Sequence, residues 1–259
     1  MSEQERMSGG MEQQARGDLS WQNGMVTGVV GKRMGINGVL DLRGVPAEQV
    51  AGIEELMING VVLMDEGNRG ALAGVKSEIN GTVIVPPAGM RVIVQPDIEL
   101  SKASVEAMPS GQKLMLVGNI FIKPEVPPAL VAEKFEDLRL IGIVVMGEAV
   151  QGALFGKMEM TGVSIIIPGH IKEVVRSMGD STWNADYLGR LADGIAYLNI
   201  GKTRIPADVP EELVAQKIAS YHNVGLTSGP EPILNLLKSR CKTNMGEFVA
   251  PGEEGESEE

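Results

Sequence analysis

The segment Ala196–Thr203, AYLNIGKT, meets the loosest form of the phosphate-loop pattern. In a working phosphate loop, a lysine such as Lys202 would bind phosphate and a threonine such as Thr203 would bind magnesium. The surroundings argue against that chemistry, because the preceding residues are apolar instead of glycine-rich. Arg204-Ile205-Pro206 follows where a helix would be needed. We therefore expect no nucleotide site here and no cofactor.

Histidine and cysteine offer little further chemistry. The chain has two histidines, His170 and His222, and one cysteine, Cys241. A zinc site needs several converging ligands, and neither histidine has a partner at ligand spacing. No histidine accompanies Cys241 in a recognisable nucleophile motif. The sequence predicts no metal site and no cysteine nucleophile.

Two other groups of polar residues could carry chemistry. Glu133, Glu136 and Asp137 are predicted on the solvent side of a helix, which does not favour paired-carboxylate catalysis. Gly179–Asn184 is the most polar stretch of the body and belongs to a longer span, residues 169–196. Insertions in repeat proteins can form binding faces, so this span is the one candidate site, although the pattern favours an ordinary loop.

Composition narrows the function classes. The 259-residue chain has a formal net charge of −11, and five of its last eight residues are glutamate. This balance argues against nucleic acid as a partner, because phosphate backbones are bound by clustered lysine and arginine. The single cysteine, with no secretory signal and no apolar run of membrane-spanning length, predicts a cytoplasmic protein without a membrane partner.

Internal repetition is the strongest pattern in the chain. Leu114–Phe135 recurs as Tyr197–Ile218, and a looser copy begins at Gly38. Each copy carries a Val-Pro pair, and other glycines keep the same step of roughly 80 residues, which is the mark of a repeat architecture. We expect Gly118, Gly142, Gly162 and Gly201 to be backbone positions with positive φ or close chain approach.

Local patterns indicate what each repeat contains. The steps Asn59-Gly60 and Asn80-Gly81 predict two strands joined by a tight corner. Pro46–Leu56, Pro127–Leu138 and Pro210–Tyr221 have apolar residues at helical spacing, and the last two predict amphipathic helices of about three turns. The predicted fold class is an α/β repeat solenoid with strand, glycine corner, strand and helix in each subunit, sharing a mainly parallel sheet.

The domain organisation follows from these patterns. Four parts are predicted: a disordered N-terminal arm, an irregular N-terminal cap, the repeat solenoid in three blocks, and a disordered acidic tail. Their bounds are 1–18, 19–35, 36–249 (blocks of about 36–113, 114–196 and 197–249) and 250–259.

Some runs resemble leucine-rich repeats. Ile53-x-x-Leu56-x-Ile58-Asn59 and Phe135-x-x-Leu138-x-Leu140 are similar to the L-x-x-L-x-L core, and the run Ile205–Val209 is similar to irregular bacterial versions. The pattern departs where glycine stands in place of the family's asparagine ladder. The resemblance implies a curved solenoid that binds proteins on its concave strand face.

We therefore expect a non-catalytic repeat scaffold that binds a protein partner or associates with itself. The alternative is a β-solenoid enzyme, a transferase or a polysaccharide-active protein, with its site on residues 169–196. Convergent acids, histidines or long loops would favour the enzyme, whereas the sequence offers two isolated histidines and one insertion.

Overall fold

The computed structural model describes residues 20–250. The predicted N-terminal arm and residues 251–259 of the predicted tail lie outside the described residues. The chain divides into two compact units and passes from one to the other three times, after Ile98, after Gln112 and after Asn119. Unit 1 runs to Ile98 and includes Lys113–Asn119, and unit 2 contains Glu99–Gln112 and the chain from Ile120 onward.

Sixteen strands and eight α-helices make up the described chain. The strands are β1 Ser20–Thr27, β2 Arg33–Asp41, β3 Glu55–Leu63, β4 Lys76–Ile84, β5 Arg91–Leu100, β6 Gln112–Ile122, β7 Phe135–Gly147, β8 Met158–Ile167, β9 Val174–Ser177, β10 Asp180–Thr182, β11 Ile195–Asn199, β12 Lys202–Arg204, β13 Ile218–Asn223, β14 Leu226–Ser228, β15 Cys241–Asn244 and β16 Glu247–Val249. The helices are α1 Ala47–Ala51, α2 Arg69–Ala73, α3 Lys102–Glu106, α4 Pro128–Lys134, α5 Glu148–Ala153, α6 Ala185–Arg190, α7 Glu211–Lys217 and α8 Glu231–Arg240, with a 3-10 turn at Glu66–Asn68.

The fold class is α/β with parallel sheets, as the sequence predicts. The strands lie in four separate sheets of four strands each, not in one shared sheet. Sheet 1 has the order β1-β2-β3-β4, sheet 2 β5-β6-β7-β8, sheet 3 β15-β13-β11-β9 and sheet 4 β10-β12-β14-β16. Sheet 1 belongs to unit 1, and sheets 3 and 4 belong to unit 2.

Sheet 1 is held in a strict register. Its four strands align asparagine with asparagine and glycine with glycine, so that Gly60 of β3 faces Gly38 on one side and Gly81 on the other. A Cβ atom on Gly60 would lie 1.9 Å from the carbonyl oxygen of Gly38, and the φ of Gly60 is +147°. Only glycine fits both the conformation and the approach of the neighbouring strand.

The predicted corner at each Asn-Gly step is wrong for unit 1. Asn59-Gly60 and Asn80-Gly81 lie inside β3 and β4, and residues on both sides of each glycine pair with the same neighbouring strand. In unit 2, by contrast, Gly201 and Gly225 separate β11 from β12 and β13 from β14. The strand, glycine, strand order therefore holds in unit 2, with parallel partners instead of a hairpin.

The helices are shorter than predicted. Helix α4 ends at Lys134 and α7 ends at Lys217, and each is followed directly by a strand. The apolar residues after Lys134 include Leu138 and Leu140, two positions apart and both fully buried. That spacing suits one face of a strand, and burial in the sheet overrides the helical pattern.

Strand β1 lies within the segment predicted as an N-terminal cap, residues 19–35, and is a regular strand. It pairs with β2 over its full length of eight residues, from Ser20 opposite Met34 to Thr27 opposite Asp41. Val26 anchors it in the core of unit 1, where its side chain packs with Met34, Ile36 and Leu40. In the part of the chain that the structure describes, no strand pairs with the outer edge of β1.

Candidate functional site

The candidate site is the outer edge of β1, together with the exposed side chains of Trp21, Asn23 and Met25. We call it the β1 edge. Its sequence, SWQNGMVT, contains neither a charged residue nor proline. Three of the seven exposed large hydrophobic residues of the described chain lie in β1 or shortly after it, namely Trp21, Met25 and Val30. An uncharged, unpaired edge strand is a template for pairing with another strand.

Trp21 is held in place by a glycine on the next strand. A Cβ atom on Gly35 would lie 2.4–2.7 Å from three atoms of the indole ring, so a ring face rests on the Gly35 backbone. The indole nevertheless remains 43% exposed. Gly35 thus lets a large apolar side chain lie flat against the sheet at its edge.

A ladder of side-chain amides crosses sheet 1 and ends at β1. Asn80 Nδ2 donates to Asn59 Oδ1 at 3.0 Å, and Asn59 Nδ2 donates to Asn37 Oδ1 at 2.8 Å. Asn37 Nδ2 donates to Asn23 Oδ1 at 3.1 Å. All four side chains are exposed. From the sequence, glycine is expected to stand where an asparagine ladder would continue. The structure corrects this, because the asparagine ladder occupies the position before each glycine.

The ladder has a direction. Each amide donates toward β1, so the Nδ2 group of Asn23 is the donor end of the series. The Oδ1 atom of Asn23 accepts one hydrogen bond and keeps a second lone pair. The β1 edge therefore presents backbone groups and a side-chain amide that can both donate and accept.

Charged residues protect other strand edges but not this one. The edge strands at the C-terminal end, β15 and β16, have four and three residues and carry Lys242 and Glu247. The other edge strand of sheet 1, β4, carries Lys76, which is paired with Glu55 of β3 at 2.5 Å. Short strands and charges discourage edge pairing, and β1 has neither protection.

Unit 2 contains a second amide ladder, in which Asn199 and Asn223 are buried and Asn244 is exposed. Asn199 Nδ2 donates to Asn223 Oδ1 at 3.0 Å, and Asn223 Nδ2 donates to Asn244 Oδ1 at 3.1 Å. Asn199 Nδ2 also donates to Leu226 O, and Thr227 Oγ1 donates to Asn223 Oδ1. These bonds join sheet 3 to sheet 4, so this ladder holds the interior of unit 2 together.

His222 belongs to this buried interior. Its Nε2 lies 3.2 Å from Ser220 Oγ and its Nδ1 lies 3.3 Å from Thr243 Oγ1. Burial, with a smaller contribution from Lys242, lowers the pKa of His222 to about 4. A neutral imidazole held by two hydroxyl groups serves packing here. No group of three or more histidine, cysteine or acidic residues that could hold a metal ion occurs within residues 20–250.

The other residues that the sequence offers for catalysis or binding do not form a common site. Lys202 is exposed on β12, whereas Thr203 is buried and its hydroxyl lies 3.0 Å from Ser181 Oγ. His170 is exposed in a turn. Cys241 Sγ donates to Thr243 O at 3.1 Å, and burial raises the pKa of its thiol.

The predicted acidic group is also divided. Glu133 is on α4 and accepts a hydrogen bond from Ser110 Oγ at 2.7 Å, which, with nearby Lys134, lowers its pKa. Glu136 and Asp137 lie in β7, so the prediction that all three are on one helix is wrong. Phe135 begins that strand, and the chain is extended from there on.

The span 169–196 is built into the sheets of unit 2. It contains β9, β10, α6 and the start of β11. Trp183 is fully buried, with its ring centroid 4.6 Å from that of Tyr197 and 6.0 Å from that of Tyr221. Asn184 Oδ1 accepts from the backbone N–H of Tyr187 and caps α6. The polar stretch is therefore a strand and a helix start around a core aromatic residue, not a loop.

A helix start was readable from the sequence in this span. Asn184 precedes Ala185-Asp186-Tyr187-Leu188, which is a typical capping position with an acidic residue in the first turn. The β1 edge had a weaker signal, because Asn23-Gly24 repeats the Asn-Gly step of the later strands with a shorter spacing.

No helix within residues 20–250 is long and apolar enough to cross a membrane. Comparisons with protein-family models, with curated proteins and with solved structures give no match to this chain.

Proposed function

We propose that this protein is a non-catalytic repeat scaffold of the solenoid type that associates with itself through the β1 edge. The observation that carries the proposal is the unpaired, uncharged outer edge of β1. Among the described residues, its outer backbone groups have no strand partner, and its side chains present an uncharged surface with two large apolar groups.

The parallel registers support the scaffold part of the proposal. Ladder partners in sheet 1 are 14, 22 and 21 residues apart, and those in unit 2 are 24 and 21 residues apart. A chain that returns to the same register after about 20 residues is typical of stacked repeats, which bind through their surfaces and ends.

A second copy is the partner that fits the β1 edge best. Two β1 strands bring no like charges together, because neither contains a charged residue. Exposed Trp21 and Met25 would lose water-accessible apolar surface in the same step. A different protein partner would leave the purified chain monomeric, and so would coverage of the edge by residues 1–19.

Sedimentation velocity of the full chain over a concentration series tests the proposal. The wild type should shift from monomer to a larger species as concentration rises. Met25→Lys places a charge on the β1 edge and should weaken association at least tenfold. Met245→Lys is the matched control, since Met245 is also an exposed methionine, 62% exposed, but lies between β15 and β16.

The two methionine variants separate the outcomes. Association that is lost in Met25→Lys and kept in Met245→Lys supports the β1 edge. A wild type that stays monomeric at all concentrations would overturn self-association. Equal effects of the two variants would place the contact elsewhere.

A further inference from the structure

We infer that two copies pair their β1 strands in antiparallel orientation with Asn23 on the two-fold axis. The inference rests on the proposed function and specifies its geometry. In this register Asn23 faces Asn23 of the second copy, Gln22 faces Gly24, and Trp21 faces Met25. The result is a closed dimer, the commonest form of symmetric assembly.

The backbone of β1 favours this register. Gly24 has a φ of +90°, so the strand leaves the extended conformation at its centre. Two antiparallel copies of β1 can change direction together only if this point of each strand lies near the symmetry axis between them. Placing Asn23 on the axis puts the two Gly24 residues one step to either side of it, and both halves of each strand can then pair.

The amide ladder favours the same axis. Its last residue, Asn23, meets Asn23 of the second copy. Each Asn23 can donate to the free lone pair of the other Oδ1 atom, which makes a reciprocal amide pair. The two exposed ladders then join into one, with Asn37, Asn59 and Asn80 continuing on each side.

A head-to-tail contact between β1 and β4 fits less well. The outer strand β4 carries Lys76 and Glu78, which are both exposed, whereas β1 is uncharged. Such a heterologous contact would also repeat from copy to copy and would produce filaments or rings. The size of the assembly therefore distinguishes the two geometries.

Disulfide trapping in a Cys241→Ser background tests the register. Opposed residues of antiparallel strands have Cα atoms about 4.5–5.5 Å apart, within the range of about 4.4–6.8 Å that a disulfide spans. Asn23→Cys should form a covalent dimer on oxidation. Thr27→Cys is the control, because its two copies would lie roughly 27 Å apart along the strands.

A second pair of variants leaves the ladder intact. Trp21→Cys mixed with Met25→Cys should give a covalent heterodimer, because these positions oppose each other. Either variant alone should remain uncrosslinked, because its own two copies would be roughly 13 Å apart. The mixture keeps the test valid if Asn23→Cys disturbs folding.

The outcomes separate the register from the proposed function. Crosslinks at Asn23→Cys or in the mixture, without crosslinks in the controls, support the inference. A dimer by sedimentation that crosslinks at Thr27→Cys, or from Trp21→Cys alone, overturns the register but leaves self-association standing. Filaments, or rings of more than two copies, would overturn the closed dimer, and a monomer at all concentrations would overturn both proposals.

Discussion

The amide nitrogen of Asn199 donates to Oδ1 of Asn223 across 3.0 Å, and both side chains are fully buried. The exposed ladder of unit 1 makes the same contact between Asn59 and Asn37, at 2.8 Å. The two ladders therefore share their chemistry and differ in their access to water. This difference sets how much each one contributes to stability.

Asn223→Ala should lower the free energy of unfolding by about 3 kcal/mol, because buried partners at Asn199 and Thr227 lose a hydrogen bond that water cannot replace. Asn59→Ala should cost less than about 1 kcal/mol, since its partners are exposed to water. Urea unfolding of the two variants measures the difference. Equal losses would show that burial does not control the strength of the ladder.

Gly60→Ala should destabilise the protein by about 3 kcal/mol or more, because the new Cβ would meet Gly38 O at 1.9 Å and φ is +147°. Gly67→Ala is the matched control, since a Cβ atom at that position would have no other atom within 4 Å and the φ of Gly67 is not positive. It should stay within about 1 kcal/mol of the wild type. Thermal unfolding of both variants checks this, and a Gly60→Ala protein as stable as the control would contradict the packing described for sheet 1.

His222 should make stability depend on pH. Its pKa is about 4 in the folded chain and about 6.5 when unfolded, so between these values the unfolded chain binds a proton that the native chain excludes. Stability should therefore fall as pH decreases from 6.5 to 4, by up to about 3 kcal/mol from this residue.

His222→Asn should reduce that pH dependence, as measured by urea unfolding at several pH values. The control is His170→Asn, which changes an exposed histidine and should keep the wild-type slope. A slope in His222→Asn as steep as that of the wild type would show that burial of this imidazole is not its source.

The sequence predicts the glycine positions well, because backbone conformation and close chain approach alone determine where glycine is required. Gly118, Gly142 and Gly162 have φ values of +141°, +123° and +120°. At Gly201, a Cβ would lie 2.2 Å from Gly179 O, so close approach replaces positive φ. Parallel strands in an α/β fold follow from the same pattern of returning segments.

The asparagine ladders and the core role of Trp183 were not predictable in the same way. An amide column exists only once strand register is known, and β1 returns after 14 residues, whereas later strands return after 22 and 21. The stretch around Trp183 is polar on average, yet its indole is fully buried against the rings of Tyr197 and Tyr221. Local composition does not report contacts made by residues that are distant in sequence.

The points where helices end and strands begin were likewise not predictable from local sequence. Residues after Lys134 fit both a helical and an alternating pattern, and only burial in a sheet decides between them. The β1 edge likewise depends on which strand lacks a neighbour, and this property belongs to the sheet rather than to any residue.

Backbone amide hydrogen exchange of β1 at low and high protein concentration tests the central claim most directly. If a second copy pairs with the β1 edge, amides of residues 20–27 that point outward should gain protection as concentration rises. The Met25→Lys variant should not show this gain, whereas Met245→Lys should. Exchange in β1 that is the same at every concentration, in a wild-type protein that does associate, would contradict the account.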